Sequence, residues 1–429
     1  MKKVILFAAV LLIAISSNLN AQVCIKISTS FYSQILNKVE GVDIYLPLDY
    51  NNPIQQHATI YYLHSDGESQ YEAYQYAYHY YVTHNANPIS DSVPAAIFVA
   101  PSGSCGPYLG SYWQNSELYG NYEDFIISEL IPFIENEYLV WPDKNFRYIT
   151  GHSMGGFGSA YLALKHSDVF RACAPLSAAH IAHPDTLMND WKNTLYEENS
   201  GYHFDYDAGY GTKLFFTASG GFSPNMDVMP NNIELLWETL GNMVDTVWSK
   251  WQRHDCSSLV SSVPDNEELD FYLVCGTEDE LMCYPPYLFF EDSLIQYDIE
   301  YKFAYGAYGH NSKDESANAL VWRWMDSLTN VSLQYVGINE QSINSQKDIR
   351  IFPNPMTVNT KLRVLHASEG SLNIWIYNSS GQFLKKMESI DQANTQKEFV
   401  FDLYDLPPGI YLIKIQEGGK MITKKLVKL

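Results

Sequence analysis

Five short runs in the N-terminal part of the chain are predominantly apolar over four to six residues. They are 58–63 (Ala-Thr-Ile-Tyr-Tyr-Leu), 95–100 (Ala-Ala-Ile-Phe-Val-Ala), 146–150 (Phe-Arg-Tyr-Ile-Thr), 271–275 (Phe-Tyr-Leu-Val-Cys) and 301–304 (Tyr-Lys-Phe-Ala). Runs this short, rich in β-branched and aromatic side chains, predict strands buried on both faces. Between them the period changes. Phe125, Ile126, Leu130, Phe133 and Ile134 fall at helical spacing over 123–138, with Pro132 expected to kink the helix. A second helix is expected over 314–325. Strands alternating with helices imply an α/β fold, a mostly parallel sheet covered on both faces. Residues 180–265 follow no clear period and are expected to form an insertion over the sheet.

Beyond residue 347 the pattern switches to period two. Leu-Arg-Val-Leu (362–365), Leu-Asn-Ile-Trp-Ile-Tyr (372–377), Glu-Phe-Val-Phe-Asp-Leu (398–403) and Tyr-Leu-Ile-Lys-Ile (411–415) alternate, separated by Asn-Ser-Ser-Gly (378–381) and Pro-Pro-Gly (407–409). Short alternating strands with such turns predict a small all-β sandwich. A polar stretch, 337–347, precedes it and reads as a linker. The expected organisation is 1–21 as a leader, 22–330 as the α/β domain, 331–347 as the linker and 348–429 as the sandwich. In the leader, Lys2 and Lys3 precede an apolar stretch from Val4 to Ile15, too short to span a bilayer comfortably, and Ala21 is the small residue at the cut. No later segment is apolar enough to cross a membrane.

Charge divides the chain at the same place. Residues 345–429 hold 12 Lys and Arg against 8 Asp and Glu, whereas 22–344 hold 13 against 41, a net of −28. Such a surface repels phosphate backbones, so nucleic acid is not an expected partner. Six cysteines (Cys24, Cys105, Cys173, Cys256, Cys275 and Cys283) enter an oxidising compartment, and the sequence does not choose among their pairings. None has zinc-finger spacing.

The chemistry concentrates at 146–165, where a strand-like run passes through Gly151-His152-Ser153-Met154-Gly155 into a helix of small residues. A serine on so tight a strand-to-helix turn projects its hydroxyl above the sheet edge, and its close neighbours must be glycine for strand and helix to approach. Serine needs a base, and the base an orienting acid, in the order Ser, acid, His for this turn. Asp279 follows the 271–275 run, with Glu278 and Glu280 as rivals. His310 follows the 301–304 run on a glycine loop. The acyl oxyanion needs two backbone donors: Met154 N–H, and one from the loop after 58–63, either Ser65 or Asp66. Tyr108, Tyr112 and Trp113 are aromatic candidates for stacking on substrate or for packing. His152 flanks the nucleophile as a substrate-binding or packing residue, and His64 is read as packing.

The segments Val-Asp-Ile-Tyr-Leu-Pro (42–47), Tyr-Tyr-Leu-His (61–64), Asn-Ser-Glu-Leu-Tyr-Gly-Asn-Tyr-Glu-Asp (115–124), Glu-Leu-Ile-Pro-Phe-Ile (129–134) and Gly-His-Ser-Met-Gly-Gly-Phe-Gly (151–158) resemble the esterase family of esterase D, feruloyl and related carbohydrate esterases and mycolyl transferases. The resemblance spans roughly 30–328 and implies an α/β-hydrolase with Ser153, Asp279 and His310 as its triad. One departure is Ser65, where the family usually has glycine. Residues 348–429, through Ile-Phe-Pro-Asn-Pro (351–355), Leu-Pro-Pro-Gly-Ile-Tyr (406–411) and the lysine-rich end, resemble a type IX secretion sorting domain, which implies the outer-membrane secretion machinery as a partner and a secreted or cell-surface destination. The expected activity is hydrolysis of carboxylic esters, acyl or feruloyl groups on carbohydrates among them, through an acyl-enzyme and without metal or organic cofactor. An acyltransferase or peptidase of the same fold, or a non-catalytic surface carbohydrate-binding protein, are the alternatives.

Overall fold

The computed structural model describes residues 22–335, apart from 51–54, 106–107, 184, 202, 239–240 and 312–314, together with the strands of the C-terminal region. The leader, and 336–349 of the linker region, lie outside the described residues. The chain divides into two compact units, one comprising the residues up to Tyr50, Gln56–Ile131 and Val140–Asn330, the other holding the C-terminal strands.

The first unit is built on eight strands: β1 (Cys24–Ser33), β2 (Lys38–Pro47), β3 (Thr59–Leu63), β4 (Ile97–Pro101), β5 (Arg147–His152), β6 (Ala172–Leu176), β7 (Asp270–Gly276) and β8 (Tyr301–Gly306). Their order is β1-β2-β4-β3-β5-β6-β7-β8. β1 pairs antiparallel with β2, and β2 with β4. Every pairing from β4 to β8 is parallel. The burial of each strand follows from this. β3 to β6 are buried at every residue, as strands covered on both faces must be. β1 alternates along its length as an edge strand with one wet face. That is why the apolar-run reading finds the central strands and passes over β1. It also passes over β6, whose small side chains and Pro175 give a weak strand signal.

The helices are α1 (Ala73–Asn85), α2 (Met154–Lys165), α3 (Asp185–Glu198), α4 (Tyr210–Phe222), α5 (Tyr284–Gln296) and α6 (Glu315–Tyr335). None of the described helices is long and apolar enough to cross a membrane. α6 continues five residues into the expected linker, because Val331 to Tyr335 still make helical hydrogen bonds. The 123–138 helix forms as Tyr122–Phe125, a π turn at Ile126–Leu130, and Ile131–Glu137. The wide turn ends beside Pro132, where the missing amide hydrogen disturbs the ordinary ladder.

Tyrosine and tryptophan fill much of the core. Tyr45, Tyr61, Tyr62, Tyr80, Tyr81 and Trp322 are fully buried. Some of these buried polar groups are paired, whereas Tyr45 Oη and Trp322 Nε1 have no hydrogen-bond partner among the described residues. Tyr80 receives the Ala96 N–H at 2.6 Å and donates to Asp326 Oδ1 at 3.2 Å. Asp326 also meets His84 Nδ1 at 3.0 Å and Asn87 Nδ2 at 3.1 Å, so a buried polar network ties α6 to α1. All six cysteines are free thiols.

In the second unit, Arg350–Phe352, Leu362–His366 and Lys397–Phe401 form a three-stranded antiparallel sheet. Phe383–Glu388, Asn373–Asn378, Gly409–Glu417 and Lys420–Lys428 form a four-stranded one. Ile374 and Ile376 are buried while their neighbours in the strand are not, and Ile413 is buried beside the half-exposed Lys414, the period-two pattern of the sequence.

Parallel strands place their C-terminal ends on one edge, and the crossing of β3, β5 and α2 lies there. A Cβ on Gly155 would sit 1.9 Å from the Leu63 carbonyl oxygen, and one on Gly151 would sit 2.4 Å from the Gly155 oxygen. Both obstacles are backbone. Gly155→Ala is therefore expected to destabilise the protein by about 3 kcal/mol or more, since neither element can withdraw without breaking sheet or helix bonds. The midpoint of urea unfolding reads this directly, and an unshifted midpoint would show that the crossing is looser than described.

Candidate active site

Ser153 is the single residue between β5 and α2. Its φ of 54° and ψ of −115° lie where side-chain-bearing residues rarely go, at a cost of about 1–3 kcal/mol. The surroundings hold it there. Its N–H donates to Leu176 O at 2.9 Å, and its carbonyl accepts from Phe157 N at 2.9 Å and Ala179 N at 3.1 Å. Tyr287 of α5 braces the neighbouring turn, donating to Pro175 O at 2.9 Å and accepting from Ala178 N at 2.8 Å. The hydroxyl is thus aimed by backbone bonds from β6 and its loop.

The loops after β7 and β8 bring two more groups to the same edge. Ser153 Oγ lies 2.9 Å from His310 Nε2, and His310 Nδ1 lies 2.8 Å from Asp279 Oδ2. With a carboxylate on Nδ1, the ring carries its proton there and leaves Nε2 to accept the serine hydroxyl. Asp279 is itself held, accepting Leu281 N–H at Oδ1 (2.9 Å). Of the three acidic residues in this loop, Asp279 reaches the imidazole ring, whereas Glu280 accepts the His310 backbone N–H at 2.8 Å. That bond holds the Glu280 carboxyl below its ordinary range. Ser153, Asp279 and His310 are all buried. Cys283 Sγ lies 3.6 Å from His310 Nδ1. Asp279, Cys283 and His310 offer ligand atoms within 4.8 Å of one another. A metal there would compete for the nitrogen that now bonds Asp279, so the cluster serves the hydrogen-bonded arrangement or a metal, not both.

Met154 opens α2, where helix amides have no carbonyl partner within the helix and favour an anion. Its sulfur accepts Tyr112 N–H at 3.4 Å. Ser65 is buried on the loop that follows β3, and its N–H points to Glu68 Oε2 at 3.3 Å. His64, just before it, is locked by Ser65 O at Nδ1 (2.9 Å) and by Gly103 N–H at Nε2 (2.8 Å). Only the neutral ring, protonated at Nδ1, satisfies both. Burial accordingly brings His64 down to about 4.

A cavity of about 250 Å³ opens beside Ser153, lined among others by Asp66, Tyr112, His180, Trp191 and Tyr210. Tyr112 thus borders the cavity. Trp113 does not: it is fully buried, donates Nε1–H to His64 O at 3.2 Å and packs edge-on against the His64 ring. His152 likewise lies outside the lining, and its Nε2 donates to His310 O at 2.9 Å. Tyr108 donates to Asn231 O at 2.8 Å. His180, Met188, Trp191 and Tyr210 come from 180–222, the stretch with no legible period. The helical spacing of Met188, Trp191 and Leu195 was the one signal there.

The profile of the Esterase family matches residues 33–298, more than half the chain. The chain belongs to the Esterase family. Within this esterase-family chain, residues 350–429 match the Secretion system C-terminal sorting domain. That domain directs type IX export, to secretion or to the cell surface. A curated relative, Esterase Rv1288 of Mycobacterium tuberculosis, is 26% identical over 157 residues, covering 36% of this chain and 32% of that protein. The match spans about a third of the length of the curated relatives. Among solved structures, a ferulic acid esterase shares 17% identity with a TM-score of 0.49, covering 72% of this chain and 98% of that one. The S-formylglutathione hydrolase FrmB of Staphylococcus aureus shares 18% with a TM-score of 0.47, covering 71% and 99%.

Two further imidazoles, the buried His183 and the half-buried His254, are brought down to about 4 and about 3, each chiefly by desolvation. With His64 they are neutral in the folded state below the pH at which free histidine protonates. The unfolded chain therefore binds more protons, and their contribution, full above about pH 6.5, is lost as pH falls toward 4. Asp66, pushed up to about 7 by burial, acts in the opposite sense, as do Asp255 and Glu137, whereas the rings of His57 and His180, also lowered by burial, add to the first set. The melting temperature is expected to fall between pH 7.5 and pH 5. A constant or rising value would show that these rings protonate without cost.

Proposed function

We propose that this protein is an exported serine esterase that hydrolyses carboxylic esters through an acyl-enzyme on Ser153. The observation that carries the reading is the unbroken chain of hydrogen bonds Ser153–His310–Asp279 at 2.9 and 2.8 Å, at the edge where the parallel strands end.

His310 Nε2 takes the hydroxyl proton as Ser153 Oγ bonds to the ester carbonyl carbon. Asp279 keeps the ring oriented and stabilises the imidazolium. The carbonyl oxygen becomes an anion, met by the Met154 N–H and a second amide from the loop after β3. Ser65, on the loop that follows β3, is our choice for that donor, and its N–H must exchange the long 3.3 Å contact with Glu68 Oε2 for the oxyanion. The tetrahedral intermediate collapses, and His310 passes its proton to the departing alcohol. Water then attacks the acyl-enzyme with His310 as base, which frees the acid and restores Ser153. No step calls for a metal or an organic cofactor. The aromatic lining of Tyr112, Trp191 and Tyr210 suits an acyl or feruloyl group, or a sugar face, and carbohydrate-linked esters are the proposed substrates.

Ser153→Ala is expected to lower kcat on 4-nitrophenyl acetate by ~10⁴-fold or more, with the circular dichroism spectrum unchanged. Wild-type activity in this variant would refute the assignment. Asp279→Asn is expected to lower kcat ~10³–10⁴-fold, because the ring loses its fixed tautomer; a loss no larger than in Glu278→Gln would point to another acid. Removal of 350–429 is expected to leave the protein inside the outer membrane, and cell fractionation measures this.

A further inference from the structure

Among the described residues, the cavity beside Ser153 is lined by three carboxyl groups, Asp66, Glu198 and Glu280, and by no lysine or arginine. Two of them are committed. Glu198 accepts from Gly211 N at 3.1 Å, Thr212 N at 2.7 Å and Thr212 Oγ1 at 2.7 Å, closing the start of α4. Glu280 accepts the His310 N–H. Asp66 differs. It is 7% exposed, and both its carboxyl oxygens are buried without a hydrogen-bond partner among the described residues. A buried polar group with no partner costs on the order of 1–3 kcal/mol, so its place on a cavity wall calls for a reason.

We propose that Asp66 is the polar anchor of the substrate site, its carboxyl group hydrogen-bonding a hydroxyl that the ester carries near the scissile carbonyl. The preferred substrates are then uncharged hydroxylated esters, such as partly acylated sugars or polyols. The inference rests on the esterase reading above and names the substrate class of that same site.

Three observations select a hydroxyl. Burial pushes the Asp66 carboxyl up to about 7, so both of its forms are present near neutrality. A hydroxyl donates to the carboxylate and accepts from the acid, whereas an ammonium pairs with the ionised form alone. An anionic acyl or alkyl group would meet carboxyl groups with no lysine or arginine among the described lining residues to balance it. Finally, the remaining wall is apolar and aromatic, with Tyr112, Met188, Trp191 and Leu214 suited to the C–H faces of a ring or chain. Asp66 adjoins Ser65 in sequence, which places the anchor next to the proposed oxyanion amide. No bond to the reacting atoms is assigned to it, and its role is specificity.

The test compares the full-length protein with Asp66→Ala and Asp66→Asn on three esters: phenyl acetate, a methyl glucoside monoacetate with a free hydroxyl beside the ester, and acetylcholine. The readout is the preference, kcat/KM for the sugar ester divided by kcat/KM for phenyl acetate. Any general disturbance of the loop lowers both terms and cancels. The preference is expected to fall ~10–100-fold in Asp66→Ala and less in Asp66→Asn, which retains a donor and an acceptor. A preference unchanged within about twofold in both variants overturns the role of Asp66. A larger loss on acetylcholine than on the sugar ester overturns the hydroxyl assignment in favour of a cation. If the wild type turns over none of the three esters and Ser153 resists a fluorophosphonate probe, the esterase reading itself fails, and the anchor with it.

Discussion

The site depends on one close approach of backbone to backbone. Where β3 ends, the Leu63 carbonyl lies against the first turn of α2, and Gly155 stands there because a methyl group would overlap the oxygen at 1.9 Å. That contact lets the chain leave β5 and enter α2 through a single residue. Ser153 absorbs the turn in a conformation it would not choose alone, with φ at 54°. The strain is outweighed by the bonds the turn makes to Leu176, Phe157 and Ala179. The same approach sets His64 and Ser65 beside the turn at Ser153. The serine's direction and the position of the nearby amides therefore have one origin.

From that fixed point the parallel sheet does the remaining alignment. β7 and β8 end side by side, Gly276 opposite Gly306, so the loops carrying Asp279 and His310 start from adjacent positions. The imidazole then has a proton donor on one nitrogen side and an acceptor on the other at ordinary hydrogen-bond lengths. His152 and Glu280 fix the backbone of the same histidine at its carbonyl and its amide. A histidine held at both ring nitrogens and at its backbone amide and carbonyl retains little freedom to lose, which is the condition for an effective base. Asp66 stands apart from this network, the one cavity carboxyl left for something outside the chain.

The strands buried on both faces were legible because continuous apolar runs have few other uses, although 301–304, read the same way, forms the edge strand β8 with no buried residue, since no further strand among the described residues covers that side of the sheet. The strand-to-helix turn at Ser153 was legible because it constrains several neighbouring residue types at once. Asp279 and His310 were legible by chain order, but two glutamates flank Asp279 with equal claim in one dimension. The wall of the cavity was not legible. His180 and Trp191 reach it from a loop and a helix whose pattern follows packing against other helices rather than a period of the sheet. The placement of Trp113 was not legible either: its neighbours Gly103 and Gly158 leave room for the ring only because strands distant in sequence bring them together.

The amino-acid order alone determined the class of fold, the separate period-two region behind its charge boundary, and the tight turn at Ser153. Each is a local property, written in hydrophobic spacing or in the residue types that a backbone conformation tolerates. Tertiary structure decided which acid meets the imidazole, which aromatic rings face the cavity and which serve as scaffold, and that Asp66 is buried without a partner. Those are distances between groups far apart along the chain, and only the register of strands and the packing of helices sets them.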